Sequence, residues 1–158
     1  MPAPTISHVI LTGALIILVF TVQLFYFYVV DNIWAEMVRR ELKELTDSIS
    51  DTLANLYFLV NSTSLDTTLK KTINLPSRVS GSSYRVEIVN SGGAARGVRA
   101  YVEVKTWINV TSWLPPGLRV NTGNPPPPKT EAIQSIGRTV VAGCTRVSKN
   151  VYVWLAQE

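Results

Sequence analysis

The hydrophobic and polar positions divide the chain into three segments with different periodicities. From Ile6 to Val30 the sequence contains 25 residues with no Asp, Glu, Lys or Arg. As an α-helix these residues extend about 37 Å, which exceeds the roughly 30 Å hydrocarbon core of a bilayer. Residues 1–30 are therefore predicted to form an apolar helix that crosses a membrane or is buried in similarly apolar surroundings.

Two other interpretations of this segment are weaker. A buried helix of a soluble domain would need covering on all sides, and the 98 residues after Val60 could hardly supply that cover. A cleavable signal peptide has a shorter apolar region and a small-residue cleavage site after it. We therefore expect the apolar helix to stay on the mature protein.

Residues 31–60 continue the helix with one apolar stripe and no intervening glycine or proline. The stripe consists of Trp34, Val38, Leu42, Leu45, Ile49, Leu53, Leu56 and Val60. Its spacing repeats every 11 residues, and a period of about 3.67 keeps such a stripe nearly in line along a straight helix. We predict one helix from about Ile6 to Val60, ending near Asn61, whose amphipathic half packs this stripe against the following domain.

After Asn61 the hydrophobic period changes to two, which predicts half-buried antiparallel strands. Three stretches alternate in this way, at residues 65–75, 83–89 and 98–110, and two more strands are predicted over roughly 136–142 and 150–155. A long Pro-rich loop is predicted over 114–129. The expected fold class is α+β, with a long N-terminal α-helix followed by an antiparallel β-sandwich-like head at residues 61–158.

This architecture resembles archaeal type IV pilins and related, archaellin-like filament subunits. The resemblance is carried by ISHVILTGALIILVFTVQLFYFYVV, by its unbroken helical continuation, and by NLPSRVSGSSYRVEIVN, which is similar to a hairpin frequent in that group. It implies membrane insertion before assembly into a homopolymer, without a catalytic or ligand residue to transfer. The polymerisation core would then include Ile10, Leu11, Ile17, Leu18, Phe20, Leu24 and Phe25.

The sequons and the charge distribution bear on where the head resides and what it contacts. Asn61-Ser62-Thr63 and Asn109-Val110-Thr111 are candidate N-glycosylation sites that fit an exterior head. Residues 61–158 contain 12 Lys and Arg against 5 Asp and Glu, whereas residues 31–60 contain 3 against 6. This difference could bring the head of one subunit onto the helix of another.

Alternatives to these two interpretations stay open. Arg39 and Arg40 follow the apolar segment, and a literal positive-inside count would keep the head in the cytoplasm, although acidic neighbours weaken that count. The basic head could also bind nucleic acid or acidic surface polymers. A dispersed solubilising charge is the favoured explanation because no basic run exceeds Lys70-Lys71, so we expect no specific nucleic-acid partner.

Catalytic and metal chemistry lacks the necessary residues in this sequence. His8 is the single histidine and Cys144 the single cysteine, so the chain offers no Cys/His metal set and no internal disulfide. Neither a phosphate-binding Gly-rich loop nor a Gly-x-Ser-x-Gly motif occurs. We expect no enzyme activity, cofactor or metal. Four aromatic residues predicted to point outward could stack sugars, although packing is their commoner role: Tyr101, Trp107, Tyr152 and Trp154.

The sequence thus favours a structural subunit of an extracellular type IV pilus-like filament, used for adhesion to cell-surface polymers or to host or abiotic surfaces. The alternative is a single-pass membrane-anchored surface protein, or a minor pilin-like component of a secretion or motility machine. These hypotheses differ in whether the apolar helix ends up against other copies or against lipid.

Overall fold

The computed structural model describes residues 3–120, 132–134 and 139–157. A single helix, α1 (Ala3–Ser62), runs without interruption through both the apolar and the amphipathic segments. At the end of the helix, polar side chains bond backbone carbonyls of the last turn, which have no partner within the helix. Thr63 Oγ1, for example, donates to Val60 O at 2.7 Å. The prediction of one long N-terminal helix is confirmed, with both ends within three residues of those expected from the sequence.

The chain divides into two compact units, Met1–Glu36 and Met37–Glu158. In its described part, the first unit consists of α1 from Ala3 to Glu36. The second unit contains the remaining helix residues, 37–62, together with every described strand. The amphipathic helix therefore belongs mostly to the same compact unit as the head.

Eight strands follow α1 in the described residues and form one sheet. They are β1 (Thr68–Ile73), β2 (Tyr84–Ser91), β3 (Ala94–Val102), β4 (Asn109–Trp113), β5 (Leu118–Val120), β6 (Ile133–Gln134), β7 (Val140–Val147) and β8 (Asn150–Gln157). The strand order is β1-β7-β8-β5-β3-β2-β6, with β4 also pairing with β3. Only the β5–β8 pair is parallel among these strands. The predicted α+β class, a long helix followed by a mostly antiparallel sheet, is confirmed.

The β2–β3 hairpin follows the alternation of the sequence closely. Tyr84, Val86 and Ile88 are buried, whereas the intervening Arg85 and Glu87 are half-exposed. The two strands are joined at Gly92 and Gly93, which both have positive φ angles of 60° and 83°. Two successive positive φ angles are typical of the turns that match the twist of a hairpin, and glycine adopts them without steric cost.

The prediction of one strand over residues 98–110 is wrong. Strand β3 ends at Val102, β4 begins at Asn109, and the two pair antiparallel. The hairpin is closed by Ile108 N donating to Lys105 O at 2.9 Å. Val104, which is in phase with the apolar positions of β3, is 87% exposed at this turn. The hydrophobic alternation continues through the turn, and no glycine or proline marks it. The reversal of the chain between β3 and β4 could therefore not be predicted from the pattern.

Three other predicted boundaries also differ from the structure. The strand expected over 136–142 is β7, which begins at Val140 and continues to Val147, while residues 135–138 lie outside the described part. The predicted loop over 114–129 contains β5, and its remainder from residue 121 onward is outside the described residues. The segment at 65–75 is a strand only over β1, because β7 pairs with those six residues alone.

The hydrophobic core of the second unit lies between the amphipathic helix and one face of the sheet. Strand β7 lies between β1 and β8 in the sheet, and its Cys144, which lies next to Leu53 of the helix, is fully buried. The largest fully buried side chains come from the helix, the sheet and the β3–β4 turn and include Leu42, Ile49, Leu53, Tyr84, Ile108, Leu118 and Leu155. Burial of apolar area on both elements supplies the main favourable term for folding this unit.

Candidate functional site

The apolar half of α1 exposes nearly all of its side chains. The seven residues predicted to form a polymerisation core are each 59% to 70% exposed: Ile10, Leu11, Ile17, Leu18, Phe20, Leu24 and Phe25. The length and composition of α1 are sufficient for it to cross a membrane, and none of its most apolar 18-residue stretch is buried. Most of the exposed large apolar side chains among the described residues lie on this segment.

The hydroxyls of Thr12 and Thr21 are hydrogen-bonded within the helix itself. Thr12 Oγ1 donates to His8 O and Thr21 Oγ1 donates to Ile17 O, each at 2.8 Å. Such backbone bonds allow a threonine to sit in a helix surrounded by apolar groups without leaving a donor unpaired. These two threonines can therefore enter lipid or a protein core with their hydroxyls paired.

Four consecutive aromatic residues, at positions 25–28, close the apolar segment just before Asp31. Phe25, Tyr26, Phe27 and Tyr28 are all exposed. Tyrosine and tryptophan are enriched where a helix passes from hydrocarbon to water, because their rings are apolar and their hydroxyl or indole groups are polar. The aromatic group thus marks a chemical boundary on α1 between the apolar and charged segments.

The apolar stripe of the amphipathic helix is almost entirely buried. Val38, Leu42, Leu45, Ile49, Leu53, Leu56 and Val60 are buried, and Trp34 is half-buried. Several bonds join this helix directly to the sheet. Ser50 Oγ donates to Trp113 O at 3.0 Å, and the Cys144 thiol lies 3.7 Å from Leu53 O. The helix and sheet of the second unit are thus connected by apolar packing and by specific polar contacts.

A polar network joins the helix to strand β4 at Ser112. Ser112 Oγ donates to the Asp47 carboxylate and accepts from Lys43 Nζ at 3.1 Å, and it lies 3.0 Å from Thr46 Oγ1. Lys43 also pairs with Asp47 at 2.7 Å. Two hydrogen bonds lower the pKa of Asp47 below its ordinary value, and the bond from Lys43 has a larger effect than the bond from Ser112. The buried Ser112 hydroxyl is therefore satisfied, which fixes β4 against one turn of the helix.

Contacts at the two ends of this helix segment hold loops of the head in place. Near its start, the Arg39 guanidinium lies 5.6 Å from the centroid of the Trp107 ring in the β3–β4 turn, within the range of a cation–π contact. Near its end, Arg146 Nη1 donates to Asn61 O at 3.2 Å and also to Thr63 O. A cation at a helix C-terminus is favourable because the last carbonyls there carry partial negative charge.

The aromatic residues predicted to point outward have different environments. Trp107 is exposed, Tyr101 and Tyr152 are half-buried, and Trp154 is buried. The Arg99 guanidinium lies 5.9 Å from the centroid of the Tyr101 ring, and Arg99 also pairs with Glu87. An exposed sugar-stacking platform made of all four rings is therefore not formed, because Trp154 is packed against its own sheet.

Both candidate glycosylation sites are accessible. Asn61 lies at the end of α1 and Asn109 at the start of β4, and both side chains are exposed. Asn109 Nδ2 donates to Thr106 O at 3.2 Å, which holds the amide at the rim of the β3–β4 turn. The acceptor amides could thus be reached by a modifying enzyme without unfolding the head.

The remaining potentially reactive side chains of the described residues are dispersed or buried. Within the described ranges, no group of three or more His, Cys, Asp or Glu side chains is close enough together to hold a metal ion. Cys144 is buried, and burial raises the pKa of its thiol to about 12. Since a thiolate is the nucleophilic form of cysteine, this side chain is suited to packing.

Sequence reasoning did not identify Ser112, Arg146 or the Arg39–Trp107 contact. Ser112 and Asp47 are 65 positions apart, and Arg146 and Asn61 are 85 positions apart. No local periodicity can therefore indicate these contacts. The alternation of β4 could have placed Ser112 toward the helix if the β3–β4 turn had been recognised.

Comparison with known proteins gives no assignment. No family model, no curated protein and no solved structure matches this chain.

Proposed function

We propose that this chain is a structural subunit of an extracellular type IV pilus-like filament that polymerises through the apolar half of α1. The observation that carries this proposal is the exposure of seven large apolar residues on residues 10–25 of a helix that continues uninterrupted into the head. Filament assembly would bury that surface against the same surface of other copies. The filament would serve attachment, with cell-surface polymers or solid surfaces as its targets.

The exposed surface is too apolar to remain in water. Burial of one large aliphatic or aromatic side chain stabilises by about 1.5–3 kcal/mol, so the seven residues together represent on the order of 10–20 kcal/mol of gross driving force. Monomeric soluble proteins rarely expose contiguous apolar patches of more than a few hundred Å². The apolar half of α1 therefore requires lipid before assembly and other apolar helices after it.

The uninterrupted passage from the apolar to the amphipathic segment favours a filament. A surface domain that needs only an anchor can be joined to its span by a flexible linker of Gly, Ser or Pro residues. Here the same helix carries the apolar surface and, from Val38 onward, packs into the head. In a helical polymer that continuity would join every head to the core through a single helix.

A second candidate function is a single-pass anchored surface protein, or a minor pilin-like component of a secretion or motility machine. The aromatic residues at 25–28 favour this candidate, because such a group is typical of a helix that meets the membrane–water interface. A filament subunit that waits in the membrane before assembly would have the same feature. The candidates therefore differ in the final oligomeric state.

The decisive experiment extracts the full-length chain from membranes and from sheared surface material in mild detergent. Sedimentation and electron microscopy should then find fibres whose only protein, by mass spectrometry, is this chain. The Ile17→Ala and Leu18→Ala double variant stays apolar enough for a membrane but loses packing groups, so we expect membrane insertion without fibres. Lys149→Ala in the head is the matched control and should assemble normally. Recovery of the wild type solely as a monomer would instead support the anchored protein.

A further inference from the structure

One exposed flank of the amphipathic helix, which passes beside the segment after β1 at Glu41, Glu44 and Ser48, forms a stripe that we call the outer helix face. Its residues recur every three or four positions and are all exposed: Met37, Glu41, Glu44, Ser48, Asp51, Asn55, Phe58 and Leu59. Residues with this spacing lie on one side of a helix. The outer helix face is apolar at its two ends and acidic between them.

Arg78 lines a pocket together with Glu41 and Glu44, but of the three carboxylates on the outer helix face only that of Glu41 is hydrogen-bonded among the described residues. Glu41 accepts hydrogen bonds from Ser80 N and Ser80 Oγ, at 2.8 Å and 2.9 Å. Glu44 and Asp51 make no hydrogen bond or ion pair with any residue in the described part of the chain. The neighbouring Lys43 is directed to Asp47 and Ser112 instead.

A complementary surface lies along the open side of strand β1. Among the described strands, β1 is at the end of the sheet and pairs with β7 alone. Lys70 and Lys71 are exposed on this edge and have no acidic partner among the described residues, and Leu65 just before the strand is 74% exposed. Lysines discourage the pairing of like sheet edges, so this edge is suited to an acidic partner of another kind.

We propose that the outer helix face of one copy binds the open β1 edge of a second copy. The two surfaces match in charge, since Glu44 and Asp51 on the helix are acidic and Lys70 and Lys71 on the strand are basic. Each surface also has an exposed leucine beside its charged residues, Leu59 on the helix and Leu65 before the strand. Contact between the two leucines would add apolar burial beside the attraction of the charges.

This contact joins two different surfaces, so each copy retains one free helix face and one free edge. Such a heterologous contact either closes into a ring or continues as an open helical polymer. The inference rests on the proposed filament and specifies how neighbouring heads meet around a common core. Since exposed charges are screened over about 8 Å at physiological ionic strength, the contact is expected to weaken as salt is raised.

The test uses two charge-reversed variants of the full-length protein. In the first, Glu44→Lys and Asp51→Lys make the outer helix face basic; in the second, Lys70→Glu and Lys71→Glu make the β1 edge acidic. In a polymer of either variant alone, every contact would bring like charges together, so we expect a roughly tenfold or greater loss of sedimenting polymer. In an equimolar mixture, every contact between different variants brings unlike charges together, so polymer should form again. A different tag on each variant should show that the polymer contains both.

Rescue by mixing distinguishes a contact between copies from a salt bridge within one copy, because an internal bridge cannot be restored by a second molecule. Arg119→Glu with Lys149→Glu is the matched control and should assemble like the wild type. Normal assembly of both reversed variants, or their failure to assemble when mixed, would overturn the inference while the filament stands. A wild-type chain that never sediments as polymer would overturn the proposed function, and this contact with it.

Discussion

The indole ring of Trp154 lies against the backbone of Gly143, its cross-strand partner in the β7–β8 ladder. A Cβ atom added to Gly143 would overlap the ring atoms Cε2 and Cζ2. The ring is fixed by a hydrogen bond from its Nε1 to Thr145 Oγ1 at 3.2 Å, and Trp154 is only 6% exposed. By alternation along β8, Trp154 lies on the face of the sheet that is turned away from the helix. Because Gly143 has no side chain, the ring can pack flat against that face.

Gly143→Ala should therefore destabilise the head. The added methyl group must displace a buried ring, and overpacking of this kind typically costs about 1–3 kcal/mol. Thermal and denaturant unfolding of a fragment beginning at Ile33 would measure the loss without interference from the apolar segment. In a Trp154→Leu background the same substitution should cost much less, because the ring is absent. An equal cost in both backgrounds would show that the ring contact is not responsible.

The apolar stripe makes a second prediction for the same fragment. Ile49 is completely buried between helix and sheet, so Ile49→Ala should remove packed methylenes and leave a cavity at a cost of about 2–5 kcal/mol. Glu44, on the exposed side of the same helix, is the control, and Glu44→Ala should change the stability by less than about 0.5 kcal/mol. Small and equal shifts in the unfolding midpoint would contradict the packing of this stripe on its own head.

The extent to which the sequence predicts this structure depends on how far apart the interacting residues are. The helix could be predicted because its 11-residue repeat runs through Leu45 and Leu56 without interruption, and hydrophobic period is a local property. The β3–β4 hairpin could not, because Val104 stays in phase with the strand while the chain reverses. Hydrogen bonding, and not hydrophobic pattern, ends β3 at Val102.

The candidate site divides in the same way. Exposure of residues such as Phe20 follows from an apolar run that exceeds what the head can cover, so it was visible in the sequence. The bonds of Ser112 to Asp47 and of Arg146 to the end of α1 depend on the sheet topology, which brings distant residues together. Likewise, the β1 edge became a candidate surface only when the strand order placed it at the end of the sheet.

Export of the head predicts modification at the exposed sequons. If the head is outside the cell, glycopeptides that include Asn61 or Asn109 should be found by mass spectrometry of the native protein. Asn109→Gln should remove one glycan without changing the unfolding temperature appreciably, because the side chain is exposed. Protease added to intact cells should also digest the head. Digestion only after lysis would contradict the exterior location.

The polar network around Asp47 predicts a specific loss of stability in acid. The hydrogen bonds from Lys43 and Ser112 lower the pKa of Asp47 in the folded protein, so its carboxylate stabilises the fold at pH values above the unfolded pKa of about 3.9. That contribution is lost as the pH falls through the lower folded value. Asp47→Asn should therefore melt below the wild type at pH 6, and the difference should shrink toward pH 3.

The comparison requires a control for removing any carboxylate from this helix. Asp51→Asn removes a charge one turn further on, where the carboxylate makes no hydrogen bond with a described residue. We expect its melting temperature to follow the wild type at both pH values. Ser112→Ala should reproduce part of the Asp47→Asn behaviour, since one of the two hydrogen bonds that hold the carboxylate is lost. If the gap between wild type and Asp47→Asn stays constant from pH 6 to pH 3, ionisation of Asp47 does not stabilise the joint between helix and β4.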